Sequence, residues 1–133
     1  MTIRNAVVLI VVSGLLALQP LDAHHSFAAE FDANQPIKFT GSVTKVDWTN
    51  PHAWIYVDVK DPSGKVANWG FELASPNGLM RNGWTRTSLK AGDIVTIEGS
   101  RARNGTSNAN AQFVTMASTG QKLFAGPSPN QQP

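Results

Sequence analysis

The sequence predicts a mainly β domain: a five-stranded, OB-fold-like Greek-key barrel with one short helix between strands three and four. Three observations predict it. Period-two alternation of apolar and polar residues recurs from Ile37 onward. Turn signals separate the alternating runs at Thr49-Asn50-Pro51, Asp61-Pro62-Ser63-Gly64 and Leu89 to Asp93. One helix start, Ser75-Pro76, falls after the third run and before the fourth. The rival architecture is another small β-barrel or sandwich of similar strand count.

The elements follow in order. Ile37, Phe39, Gly41 and Val43 alternate with Lys38, Thr40, Ser42 and Thr44, the mark of a half-buried first strand. Val46 and Trp48 continue in the opposite phase, which predicts a bulge that bends the strand. In the second strand, Ile55, Val57 and Val59 share one face and Trp54, Tyr56 and Asp58 the other. The turn Asp61 to Gly64 has proline second and glycine last, and returns the chain into a third strand, Val66 to Leu73. The helix after Ser75 is short because Gly78 and Gly83 oppose it; Leu79, Met80 and Trp84 are its expected packing residues. Ile94 to Gly99 is a fourth strand, Ala111 to Ala117 a fifth, and Gly120 to Phe124 a short addition.

Before the strands lies a segment of another kind. Arg4 precedes the apolar run Ala6 to Leu18, which is shorter than the roughly 20 residues a membrane-spanning helix needs. Pro20 ends it and Ala23 offers a small residue to a peptidase. Residues 1–23 are therefore expected to be a Sec-type signal peptide cleaved after Ala23, with a retained anchor as the alternative. The expected location is periplasmic or secreted, without stable membrane insertion after cleavage. Residues 24–36 are expected to form an N-terminal arm, 37–125 the barrel and 126–133 a disordered tail rich in proline and glutamine.

Composition excludes several classes. The 133 residues suffice for one small domain. Cysteine is absent, so disulfides, thiolate metal sites, cysteine nucleophiles and a lipid-bearing cysteine are all excluded. The 11 basic and 9 acidic residues leave a net charge of +2, and the bases are scattered rather than clustered. With export, that argues against a nucleic-acid partner. No GxSxG, HExxH, P-loop or GxGxxG motif occurs, and no enzyme is expected.

The strings HHSFAAEFD, WTNPHAW and SPNGL, within a stretch from about His24 to about Ala125, resemble a family of small exported bacterial proteins catalogued as a domain of unknown function. The resemblance implies export, a bacterial source and a compact β domain. It implies no activity and no site residues.

Two groups of residues invite chemistry. Cleavage after Ala23 would give His24 a free α-amine. That amine, the His24 imidazole and a further imidazole from His25 or His52 form a nitrogen-rich set of the kind that suits Cu(II). The ordinary reading is an exposed chain start. The second group is Trp48, Asn50, His52 and Trp54, joined by Trp69: indoles as a stacking platform and His52 as a polar contact for a ligand. Its ordinary reading is a turn with core tryptophans. Glu72 is expected to face solvent; facing inward, it would need Arg81 or Arg86. Met80 is expected to be core filler rather than a soft metal ligand.

The leading expectation is a non-catalytic periplasmic binding module for a small molecule or glycan. A copper-binding protein using His24, His25 and His52 is the first alternative. An accessory subunit that meets another envelope protein is the second.

Overall fold

The structure, a computed structural model, describes residues 27–126. The elements are α1 (Phe27–Glu30), β1 (Phe31–Asp47), β2 (Trp54–Lys60), β3 (Val66–Glu72), α2 (Pro76–Arg81), β4 (Ile94–Ala102), β5 (Asn108–Met116) and β6 (Lys122–Phe124). The protein is mainly β, as the alternation predicts. Its six strands form one sheet in the order β3-β2-β1-β4-β5-β6, antiparallel throughout except where β3 also pairs β5 in parallel. That extra pairing links β1, β2, β3, β5 and β4 into a closed cycle of hydrogen-bonded neighbours.

β1 is long enough to serve two partners. Its N-terminal part pairs with β4 alone, and its C-terminal part pairs with β2. The register slips between Val43 and Lys45, where the phase of the alternation changes in the sequence. The strand begins at Phe31, six residues before the alternation becomes visible at Ile37. A second irregularity hides this start. Between Asp32 and Pro36 the register with β4 shifts, and the Asp32 carboxylate accepts hydrogen bonds from the Asn34 amide and the Gln35 side chain. The polar residues of this bulge mask a strand whose first residue, Phe31, is buried against Phe27.

The core lies inside the strand cycle. Ile55, Val57, Phe71, Val95, Ile97 and Val114 are all fully buried, each on the inward phase of its strand. α2 starts as expected: the Ser75 hydroxyl accepts from the Gly78 amide and Pro76 takes the first helical position. Leu79 and Trp84 pack into the core, but Met80 is 52% exposed. A helix this short turns only one narrow face inward, and Leu79 holds it; the next residue points about 100° away. The Trp84 indole donates to the Phe124 carbonyl at 2.9 Å and fastens the α2 segment to β6. Among the described residues no helix is long and apolar enough to cross a membrane.

Four surface carboxylates, Asp61 exposed and Asp32, Asp93 and Glu98 half-buried, carry the pH dependence that the fold predicts. Hydrogen bonds lower the pKa of each: Asp32 through the Asn34 amide first, Asp61 through the Ser63 hydroxyl, Asp93 through the Lys90 amide and Glu98 through the Lys122 ammonium. A lowered folded-state pKa means the unfolded chain binds protons first. The stabilisation is complete above the ordinary carboxylate range and lost as pH falls through the lowered values. Thermal unfolding followed from about pH 6 to about pH 2.5 is expected to show a flat midpoint above about pH 5 and a falling one below about pH 4. Because all four groups reach solvent, screening keeps the fall gradual. A midpoint that rose on acidification would contradict these assignments.

Candidate functional site

The hairpin of β2 and β3 sorts its residues by register. Ile55 pairs with Phe71 and Val57 with Trp69, all facing the core. The intervening pairs face outward: Trp54 with Glu72, Tyr56 with Gly70 and Asp58 with Asn68. Backbone bonds between Ala53 and both Leu73 and Ala74 extend the same order past the strand end, so that exposed His52 continues the outward row. β1 adds Lys45 beside Tyr56 and Asp47 beside Trp54. β5 adds Asn108 beside Gly70.

The centre of this face is aromatic. The rings of Trp54 and Tyr56 lie nearly parallel, 20° apart, with centroids separated by 6.4 Å. Both rest over Gly70, where a side-chain Cβ would meet Tyr56 at 3.4 Å, Trp54 at 3.6 Å and the Asn108 amide oxygen at 2.6 Å. Glycine therefore leaves room for both rings to close over this position.

A polar rim surrounds the rings. At one end His52 Nδ1 contacts Glu72 Oε1, with the His52 side chain about half exposed and Glu72 largely covered. This contact occupies Nδ1 and leaves Nε2 as the ring atom available to a ligand. At the other end the Asn68 amide donates to Asp58 at 2.9 Å and to the Thr44 hydroxyl at 3.1 Å. Lys45 sits 5.5 Å from the Tyr56 ring centroid and bonds Asp47 at 2.9 Å, which raises the lysine pKa and keeps it charged. Asn108 donates to Thr106 at 3.0 Å.

The structure divides the ligand residues that the sequence suggests. His52 and Trp54 share the outer face. Trp48 lines a narrow apolar cleft with Val46, Ala53, Ile55, Leu73, Trp84 and Leu89, on the core side of the hairpin. Trp69 is core: it packs on Phe39 at 4.8 Å and on Phe71, with Arg101 5.2 Å from its ring. Asn50 is exposed and precedes Pro51 through a cis peptide. Glu72 lies on the outward phase of β3, as expected, but its side chain is largely covered rather than open to solvent, and it contacts His52. His24 and His25, two members of the copper set, lie outside the described residues. Among the described residues no group of three His, Asp or Glu stands close enough to hold a metal ion.

Sequence reasoning missed Tyr56, Gly70 and the pairing of Glu72 with His52. The signal for all three was the hairpin register. Counting outward from the turn at Asp61 to Gly64 places Tyr56 opposite Gly70 and Trp54 opposite Glu72.

A family model described as "Family of unknown function (DUF6152)" matches residues 12–111. No curated protein matches the chain.

Proposed function

We propose that this chain, which belongs to the family of unknown function DUF6152, is an exported, non-catalytic binding module of the periplasm. Its ligand sits on the outer face of β2 and β3. The observation that carries this reading is the pair of near-parallel rings of Trp54 and Tyr56 over Gly70, rimmed by His52, Glu72, Asn68 and Asn108. Both rings are half-buried on the outer phase of β2, away from the core. Such rings do offer a ligand apolar area at low entropic cost, and polar rim groups then fix its orientation.

Two further observations support the reading. The strand cycle β1-β2-β3-β5-β4, with α2 between β3 and β4, matches the strand order of the OB fold, which uses its second and third strands to hold ligands. The leader-like sequence of residues 1–23 favours export. The proposed roles are stacking for Trp54 and Tyr56, hydrogen bonding through Nε2 for His52, and orientation of that imidazole for Glu72.

The test is a ligand screen read by amide chemical shifts of the isotopically labelled protein. A binder is expected to move Trp54, Tyr56 and Gly70, and Trp54→Ala is expected to weaken it about tenfold, the loss of one stacked ring. Binders that map instead to the cleft beside Trp48 and Leu89 would move the site to the core side and refute this one.

A further inference from the structure

We infer that the ligand of the outer face is an uncharged oligosaccharide. The inference rests on the reading that this face is the binding site, and it adds the chemical class. Four features of the face select that class, and each disfavours a different competitor.

The first is shape. The Trp54 and Tyr56 rings are tilted by only 20°, with centroids 6.4 Å apart, and both reach the open position over Gly70, so they form one near-parallel aromatic pair. Near-parallel rings suit the flat C–H faces of pyranose rings. A proline-rich peptide docks instead between aromatic walls that stand up from the surface.

The second is backbone pairing. β2 lies between β1 and β3, and β3 pairs with β5 as well as β2 from Gly70 to Glu72, so the strand segments at Trp54, Tyr56 and Gly70 have hydrogen-bonded neighbours on both sides. No strand edge runs beneath the two rings for an extended peptide to join by β-augmentation.

The third is charge. Asp47, Asp58 and Glu72 stand against Lys45, His52 and Lys60, so this face carries no basic excess. A single-stranded nucleic acid or an anionic glycan needs the reverse, a basic groove beside its stacking rings. The face suits a ligand that brings hydroxyl donors and no negative charge.

The fourth is the balance of the rim. The carboxylates of Asp58 and Glu72 and the amide oxygen of Asn108 accept hydrogen bonds, while the amide groups of Asn68 and Asn108 donate. Sugar hydroxyls do both, and a rim of mixed character around an apolar floor matches their alternation of C–H and O–H groups.

The inference is tested by titrating the labelled protein with cellotetraose and with the corresponding chitin tetramer. A proline-rich peptide and a single-stranded DNA dodecamer serve as comparators. At least one oligosaccharide is expected to give saturable shifts at the Trp54, Tyr56 and Gly70 amides and at the Asn68 and Asn108 side chains. The affinity is expected to be nearly independent of salt, because no ion pair forms with the ligand. Tyr56→Ala should weaken binding about tenfold, as should Trp54→Ala. No saturable shift with either oligosaccharide overturns the inference. If the peptide or the DNA shifts this face instead, the site stands and the sugar assignment fails. If an oligosaccharide binds but maps to the cleft beside Trp48, the site itself fails.

Discussion

Gly99→Ala is expected to remove about 3–5 kcal/mol of stability, enough to lower the unfolding midpoint by roughly 15–30 °C in a domain of this size. A Cβ at Gly99 would lie 1.7 Å from the Asn110 carbonyl oxygen and 2.8 Å from the carbonyl carbon. Both obstacles are backbone, so no change of rotamer relieves them. The site follows the irregularity between Glu98 and Gly99, where β4 and β5 change register and Gly99 comes to pair with Ala111. Separating the strands there would loosen the fully buried contacts of Ile97 and Val114 immediately beside it. Gly64→Ala is the informative control. Gly64 has φ +89° and nothing within 4 Å of a new Cβ, so it isolates the cost of a left-handed backbone, about 1–2 kcal/mol. Denaturant unfolding of both variants checks the difference. Equal losses would show that conformation, not the close approach of β4 to β5, explains Gly99.

That contrast also marks what can be read in the sequence. Gly64 is legible, because proline and glycine around a four-residue turn state the reason for a glycine. Gly99 is not, since it closes an alternating run and looks like a strand end. Its cause is the Asn110 carbonyl, which is brought near only by pairing across the loop between β4 and β5. The same distinction runs through the rest of the molecule. Alternation and turn chemistry locate β2, β3, β4 and α2, and even the slip near Thr44, because these depend on neighbours in the chain. The start of β1 at Phe31 depends on Ala102 opposite it, and the bulge residues between them carry no apolar pattern. The parallel pairing of β3 with β5 leaves no local mark at all.

The candidate site divides in the same way. His52 and Trp54 stand out as residue types at a turn, and the outward phase of β2 follows from buried Ile55, Val57 and Val59. Trp48 and Trp69 stand out equally, yet one lies beside a core cleft and the other in the core. Tryptophan serves both burial and binding, so its identity does not decide between them. Register does decide it. Trp69 pairs with Val57 and must face inward; Trp54 pairs with Glu72 and must face out.

Trp84→Ala is expected to cost about 3–5 kcal/mol for the buried ring, with up to roughly 1–3 kcal/mol more for the partner it abandons. The side chain is only 3% exposed, and its indole N–H is the donor to the Phe124 carbonyl at 2.9 Å. Trp84→Phe separates the two terms. It keeps most of the apolar volume and removes the donor, so it should cost about 1–3 kcal/mol, chiefly at the carbonyl left behind. The effect has a predicted path. Next to Phe124, the Ala125 carbonyl accepts from the Ala74 amide, and the Ala74 carbonyl accepts from the Ala53 amide beside His52. Loss of the indole bond frees the end of β6 and weakens this ladder from the rim inward. Hydrogen exchange should therefore quicken at Ala74 and Ala125 in Trp84→Phe, while Gly70, at the centre of the outer face, keeps its protection. Exchange that quickened equally at all three amides would mean that Trp84 supports the domain as a whole. Selective loss at Ala74 and Ala125 would show that it holds one end of the β2–β3 hairpin, the end that places His52 on the outer face.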